Sequence, residues 1–535
     1  FIRPYLFLAE ILSLENSFKE ALRILFLAKE IEQNNSNVDY NLSILYKKNK
    51  LYKEALNYIN KALIISPKIE IYKILKADIL IDNFQNQEAE QILGNLIFDK
   101  NSNLYFQKEL LFSRIFINQK NYVEAENTLL KLKTLFNNQP ILFLNLSNLY
   151  FNNKEINKGI KVSKEGIKKF PNFIPLKFNL AVMYRNSGHL DSAINIHLEI
   201  LDKDKFNFNS YYELSTLYDF SSHNDQLNNL LNIEIENFTP IQKIYIGFSK
   251  ANIYHSKGEF ENSAYFLKIA NDEKLKLRPS DLKRKLNTGE IYRNFKFENQ
   301  EDSNENLDNN CYLFIVGMPR CGSTLLESIL SLNSEVKDLG EVFFLEESLK
   351  ETVDLKKVND IYSKKVLDIN SFKNIFTDKN LFNFLYCPII YRFFPNSRII
   401  HCTRNPLDNV LSIYRTNFIN QSFSSSLKDI AKLYTYHIEL MDEYKTQFGS
   451  IIYSYDHDQV VQNPEASIRK LIDWLNWEWD EKYLSPHKNK RNVFTASSAQ
   501  VRKEINNQSI NYWEKYKQLL KPLHSVFPTY DLLNG

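Results

Sequence analysis

The sequence predicts a multidomain fold, with an N-terminal all-α repeat superhelix followed by an α/β domain built on a parallel sheet. Three observations carry this. Small residues recur at a spacing near 34 through the first half. In the second half a short apolar run leads into a glycine-bounded loop and a helical pattern. The 535 residues also exceed one core, since single cores stop growing at roughly 250–300 residues. Composition agrees: 44% hydrophobic and 24% charged residues exclude a largely disordered chain. Only 12 Gly and 15 Pro leave few tight turns, which argues against a large all-β architecture.

The small positions are Ala21, Ala55, Ala89, Ala125, Gly159 and Ala193, with weaker copies at Leu227 and Ala264. Successive spacings are 34, 34, 36, 34, 34, 34 and 37. A second small residue follows seven later at Ala28, Ala62 and Gly166, and Pro67 and Pro171 end their segments. Tyr46, Tyr150 and Tyr184 precede their anchors by nine. This pattern resembles the tetratricopeptide repeat (TPR). Two antiparallel helices approach closely where a small side chain faces the partner, an aromatic fills the remaining space, and Pro stops the second helix. One pair cannot bury its apolar face alone, so about eight units stacked over residues 1–282 are expected. The resemblance implies a groove for a peptide or another domain. A structural spacer and a dimerisation arm, which would make a homodimer, stay open beside it.

Residues 283–310 lose the register and end in an Asn/Asp/Glu/Ser tract, which reads as a polar linker. The second domain is expected over 311–535. Its run Tyr312–Gly317 suits a buried parallel strand, Gly317–Gly322 a loop, and Ser323–Leu330 a helix. Strand, glycine-bounded loop and helix N-terminus form an anion site, because backbone N–H groups and the helix dipole point at a bound phosphate or sulfate. The loop is P-loop-like: Gly317, Gly322 and Thr324 fit G-x-x-x-x-G-K-[ST]. Ser323 stands at the Lys position, which argues against a nucleotide kinase or NTPase, while Arg320 supplies positive charge from inside the loop.

GMPRCGSTLLESIL (Gly317–Leu330) resembles the 5′-phosphosulfate loop of sulfotransferases, close to the PRSGTT form of the tyrosylprotein enzymes. Further segments follow in the family's order. RIIHCTRNPLDNVLSIYR (Arg398–Arg415) resembles the 3′-phosphate motif, TDKN (Thr377–Asn380) the catalytic-Lys segment, and TASSAQVRKEIN (Thr495–Asn506) the segment that closes over the nucleotide. With its repeats the chain is similar to bacterial TPR–sulfotransferase fusion proteins. The resemblance implies 3′-phosphoadenosine 5′-phosphosulfate (PAPS) as sulfuryl donor, no metal, and an acceptor hydroxyl on a protein tyrosine, a saccharide or a small alcohol. It implies Glu341 as general base, with Lys379, Arg320 and Ser497 stabilising the transfer. For the nucleotide it implies Arg320, Cys321, Gly322, Ser323 and Thr324 at the 5′ end and Arg404, Ser412 and Arg415 at the 3′-phosphate. Tyr455, Ser498, Gln500, Val501, Arg502 and Lys503 complete the set. Lys379 also reads as a solvated turn residue and Tyr455 as a core aromatic.

The sequence departs from the tyrosylprotein pattern at three places. Cys321 stands for Ser, Thr416 where a second Arg is carried (Arg415 lies one before), and Tyr512 for the Lys ahead of Trp513. The last departure motivates a second reading, an interaction scaffold whose domain binds the nucleotide without catalysis. The run His487–Arg491 reads as a solvated loop, and WLNWEWD (Trp474–Asp480) as a helix end packed on the sheet.

Charge and cysteines bound the remaining classes. With 67 Lys+Arg against 64 Asp+Glu, the formal charge is +3, without the basic excess of a nucleic-acid carrier. The cysteines, Cys311, Cys321, Cys387 and Cys402, form no C-x-x-C pair, which fits a reducing, cytoplasmic setting. No run of 18 apolar residues is present. The chain opens on Phe1, so a targeting segment ahead of it stays open.

Overall fold

The computed structural model of the protein describes residues 2–14, 17–217, 225–236, 238–294, 310–369, 373–530 and 532. The chain divides into two compact units, one running essentially to Ile246 and the other from Gly247 onward.

The first unit is a succession of helix pairs. Arg3–Leu14 is followed by Phe18–Ile31, Ser36–Lys48 by Tyr52–Ile65, Glu70–Asp82 by Asn86–Gly94, Asn103–Asn118 by Tyr122–Leu135, and Pro140–Asn152 by Ile156–Lys169. Ile174–Ser187 with Leu190–Lys203, and Phe208–Leu217 with Asp225–Leu231, continue the series. The small anchor is the fourth residue of the second helix: Ala21, Ala55, Ala89, Ala125 and Ala193 have no exposed surface. Close packing is most acute at Gly166, where a Cβ would sit 2.4 Å from Leu176 Cδ2 and 2.8 Å from Phe143 Cβ.

The turns explain how so many hairpins need so little glycine. Lys50, Phe84, Lys120 and Lys154 hold left-handed φ values of 56°, 60°, 61° and 60° between their paired helices. The following amide reaches back five residues, as in Leu51 N–H to Tyr46 O at 3.0 Å and Gln85 N–H to Leu80 O at 2.8 Å. This is the Schellman closure, usually marked by Gly. Here ordinary side chains accept the steric cost of that conformation, about 1–2 kcal/mol each.

The eighth pair, Pro240–Ser256 and Phe260–Leu277, lies largely in the second unit. Its anchor is Ser263 rather than Ala264. Ser263 is the fourth residue of its helix, fully buried, and its hydroxyl donates to Ala251 O at 2.8 Å, whereas Ala264 is only half-buried. A small hydroxyl whose proton is satisfied by the facing helix fits where Ala fits. The stretch read as linker also differs. Leu282–Arg293 is a helix, with Tyr292 against Tyr386 (centroids 4.8 Å apart) and Lys285 Nζ 3.5 Å above the Phe382 ring. The rest of that linker, 295–309, lies outside the described residues.

The second unit is built on a five-stranded parallel sheet. β1 is Cys311–Gly317, β2 Val336–Gly340, β3 Ile375–Asp378, β4 Ser397–Thr403 and β5 Ile452–Asp456, in the order β2-β3-β1-β4-β5. Alternation along β1 feeds two cores. Tyr312, Phe314 and Val316 pack with Tyr362, Ile389 and Tyr444, while Leu313 and Ile315 pack with Leu326, Ile329 and Leu471. Trp474 ends the helix Pro464–Trp474 and packs on the second core, as expected of a helix end. The chain leaves β1 toward β2 and leaves β4 toward β5, in opposite directions. Such a switch point opens a crevice at the carboxyl ends of β1 and β4.

The eighth pair holds the segment after β4. Asn271 Nδ2 donates to Tyr414 O (3.0 Å), Lys274 Nζ to Phe418 O (2.9 Å) and Arg278 Nη1 to Ile419 O (3.3 Å). Asp281 accepts from Ser422 Oγ and Phe423 N–H, both at 3.0 Å.

Gly166→Ala will destabilise its hairpin by about 1–3 kcal/mol, because Phe143 Cβ cannot swing away. Gly94→Ala, where a Cβ meets nothing within 4 Å, will instead stabilise by up to about 1 kcal/mol. Hydrogen exchange of the amides in the two hairpins reads both signs. Equal effects at the two positions would contradict the packing argument.

Candidate functional site

Backbone conformation builds the loop after β1. At Gly317 φ is 149°, and a Cβ there would lie 2.5 Å from Cys402 O on the neighbouring strand. At Gly322 φ is 91°, and a Cβ would meet His457 Nδ1 at 2.3 Å. Between them Arg320 holds a left-handed φ of 68°. Gly322 is the N-cap of Ser323–Leu330 and supplies no side-chain cap, while the Ser323 amide bonds to the Cys321 sulfur.

Arg320 gathers three of the other sequence-predicted residues. Nε donates to Ser412 Oγ at 3.2 Å, Nη2 to Gln500 Oε1 at 2.7 Å, and Nη1 to Ser497 Oγ. Thr324 Oγ1 lies 3.3 Å from Thr495 Oγ1, a second tie between the loop helix and the C-terminal segment. Arg404 stands just beyond β4. Its Nη2 donates to Ser509 O at 2.7 Å, its Nη1 reaches Arg320 O at 3.5 Å, and its Nε lies 3.9 Å from Asp458.

Adjacent strand ends bring Glu341 and Lys379 together. The register sets Gly340 against Asp378, and Lys379 N–H donates to Gly340 O at 2.9 Å. The next side chains meet: Lys379 Nζ donates to Glu341 Oε1 at 2.8 Å. The Lys379 side chain has no exposed surface while that of Glu341 is 50% exposed, so Lys379 is not a solvated turn residue. Burial opposes the Lys379 charge, but Glu341 and Glu327 more than offset it and hold its pKa above the ordinary value.

Other predicted residues take different places. Cys321 is buried and its side chain belongs to the second core. Burial raises its thiol, but hydrogen bonds from Cys402 and Ser323 bring it below the ordinary value. Tyr455 is 2% exposed and packs with Cys321 and Cys402, a core aromatic rather than a side chain of the cleft. Ser498 and Val501 are buried, Lys503 is exposed, and Arg502 Nη1 turns back to Asn489 O at 2.6 Å. The Arg415 guanidinium lies 5.8 Å from the Tyr516 ring, with its Nε buried and without a hydrogen-bond partner. Tyr512, at the departure from the tyrosylprotein pattern, packs against His255 and Phe260 (centroids 4.9 and 6.0 Å).

Sequence reasoning missed two charged groups. Glu327, one turn into the helix Ser323–Leu330, is 1% exposed. Arg491, in the run read as a solvated loop, donates to Glu327 Oε2 at 3.0 Å and to Asp338 Oδ2 at 2.8 Å. Lys488 and Lys490 of the same run are exposed, as expected. The available signal was a single carboxylate in the otherwise apolar face of TLLESIL.

The sulfotransferase family model matches residues 313–368 and 351–481. The C-terminal region therefore carries a sulfotransferase-family domain, and with the helical repeats before it the chain fits a TPR–sulfotransferase fusion. An uncharacterized protein of Aquifex aeolicus (strain VF5) is 31% identical over 241 residues, covering 40% of this chain and 32% of that protein. The chain thus matches about a third of that relative's length. A putative protein-tyrosine sulfotransferase of Caenorhabditis briggsae is 22% identical over 253 residues, 41% of this chain and 88% of that protein. Among solved structures, the sulfotransferase domain from the curacin biosynthetic pathway is 16% identical, covers 40% of this chain and 97% of that chain, and aligns with a TM-score of 0.31. No helix among the described residues is long and apolar enough to cross a membrane, and no group of His, Cys, Asp or Glu among them is arranged to hold a metal.

Buried histidines predict how this unit responds to acid. Burial lowers His437 to about 3 and His401 well below its ordinary value, their Nε2 atoms 2.8 Å apart; burial with Arg404 and Arg320 lowers His457 to about 3. The unfolded chain takes up these protons below about pH 6.5 and the folded chain does not. The histidine contribution is therefore full above pH 6.5 and is lost toward pH 3, by roughly 1.4 kcal/mol per histidine per pH unit, opposed by one buried group, Asp378, which burial raises to about 7. All four Trp lie at or beyond Trp474, so Trp fluorescence in urea titrations reads this unit. A midpoint unchanged between pH 7 and 5 would contradict it.

Proposed function

We propose that the protein transfers a sulfuryl group from PAPS to an acceptor hydroxyl, with Glu341 as general base. The observation that carries this is the Lys379–Glu341 pair at the strand ends, beside a glycine-bounded loop whose Arg320 engages Ser412, Ser497 and Gln500. The residues present fit the donor: Arg404 and Arg415 each have a buried Nε without a hydrogen-bond partner, that of Arg404 lying 3.9 Å from Asp458.

Arg320 and the amides of 321–324 hold the 5′ end, and Arg404 with Ser412 and Arg415 holds the 3′-phosphate. The donor supplies a sulfuryl group whose bond to the 5′-phosphate oxygen breaks as the acceptor oxygen bonds to sulfur, the electron pair staying with the phosphate. Glu341 takes the acceptor proton, and its exposed face suits a base that meets an incoming hydroxyl. Lys379 turns from Glu341 toward the leaving oxygen, where a desolvated cation stabilises developing charge far more than one in water. Ser497 donates a hydrogen bond to the same region. The repeats present a partner or the acceptor in their groove. A protein tyrosine, a saccharide and a small alcohol all satisfy this chemistry, and a cytoplasmic setting suits the free thiols.

The packing of Tyr512 favours a second reading. With an aromatic, not a cation, at that position, the domain binds the nucleotide but turns over nothing, and the protein is a scaffold.

Labelled PAPS with an acceptor panel separates the two. Glu341→Gln should lower turnover about 10²–10⁴-fold while donor affinity stays within a few-fold. Arg404→Ala should weaken donor binding by about tenfold or more, the loss of one charge-assisted contact. Wild-type binding without turnover on any acceptor selects the scaffold. Undetectable PAPS binding by the wild type overturns both readings.

A further inference from the structure

Glu327 serves two cations from different parts of the chain while almost fully enclosed. Its Oε2 lies 3.0 Å from Arg491 Nη1 and 3.9 Å from Lys379 Nζ, and its Oε1 accepts from Thr377 Oγ1 at 3.3 Å. Burial raises its pKa, and Arg491 and Lys379 more than reverse this, so it is held below the ordinary carboxylate range. Such a carboxylate is ionised at neutral pH, and it is one of the two carboxylates that face each cation, Glu341 being the other at Lys379 and Asp338 the other at Arg491.

The two cations do different work. Lys379 stands in the pair with Glu341. Arg491 anchors the segment that closes on Arg320: it donates to Asp338 and Ser328 Oγ, and Asn489 beside it donates to Ser328 O at 3.1 Å and Ser331 Oγ at 3.0 Å. From that anchor the chain runs to Thr495, Ser497 and Gln500, which meet Thr324 and Arg320.

We propose that Glu327 is a positioning residue that couples the two halves of the site, aiming Lys379 at the reacting centre and fastening the 489–502 segment over the donor loop. This rests on the sulfuryl-transfer reading above. Glu327 touches neither donor nor acceptor. It sets where Lys379 stands and whether the closing segment is tied down, so one side chain affects donor affinity and the chemical step together.

Asp338 provides the discriminating comparison. It binds Arg491 and is not within ion-pair distance of Lys379. Charged or titratable groups that interact with Lys379 are Glu341 beyond β2, Glu327 on the loop helix, Arg491 on the C-terminal segment and Cys402 on β4. Removing the Glu327 charge withdraws one of two carboxylates that sustain the protonated Lys379. The limb of the kcat profile on which Lys379 loses its proton should then move to lower pH.

The test compares full-length Glu327→Gln and Asp338→Asn with wild type, each checked for a native far-UV and Trp signal. Glu327→Gln should weaken PAPS binding at least fivefold, lower kcat at least tenfold and shift the alkaline limb down by half a pH unit or more. Asp338→Asn should weaken PAPS binding with the limb unmoved. Folded Glu327→Gln with wild-type affinity, or with its alkaline limb in place, overturns the proposal; so does an equal limb shift in Asp338→Asn. If Glu327→Gln does not fold, Arg491→Lys with wild-type donor affinity overturns it. Absence of PAPS binding by the wild type would sink the transfer reading instead, and is seen before any variant is made.

Discussion

A charge without solvent must be answered where it stands, and Lys379 is such a charge. With no exposed surface it stays ionised only because Glu341 and Glu327 face it. That requirement reaches outward. Glu327 is itself enclosed and needs Arg491, and Arg491 needs Asp338. The chain of pairing passes from the strand ends through the loop helix to the C-terminal segment, linking parts of the sequence more than 150 residues apart. A buried ion pair is weak evidence for stability, because desolvation offsets much of the attraction. Here it serves geometry: Lys379, Glu327 and Arg491 each face two groups of opposite charge, so each stays paired when one contact is given up.

The sheet topology makes this arrangement available. Chain exits in opposite directions from β1 and β4 open the crevice, and the β2–β3 register brings Gly340 beside Asp378 so that the next two side chains meet. The eighth helix pair adds a constraint from outside the sheet. Its hydrogen bonds to the carbonyls of Tyr414 and Phe418, with that of the adjoining Arg278 to Ile419 O, fix the stretch on either side of Arg415. That pair has the repeat's form but groups largely with the sheet.

Legibility differed by physical scale. The repeat was readable because close helix packing demands a small residue at one position in every unit. The reading slipped at Ala264, because Ser263 is small too and its hydroxyl is satisfied by a backbone carbonyl. The hairpin turns were not readable, since Lys and Phe occupy left-handed positions where Gly is the usual marker. The linker was misread over Leu282–Arg293, a helix with a polar sequence whose few aromatic contacts hold it to the second unit.

At the site the same division holds. Local sequence by itself determined the strand–loop–helix of Cys311–Leu330 and the strand–helix that carries Arg404 and Ser412, because backbone propensity, glycine φ and apolar alternation act over a few residues. It also singled out Arg320, Lys379 and Glu341 by their place in motifs. Only the tertiary structure decided that Glu341 and Lys379 form a pair, that Tyr455 belongs to the core, and that Arg491 pairs with buried Glu327, a tenth of its side chain exposed, while its neighbours Lys488 and Lys490 are exposed. Which charges are enclosed depends on what packs over them, and that is set by contacts between segments far apart in the chain.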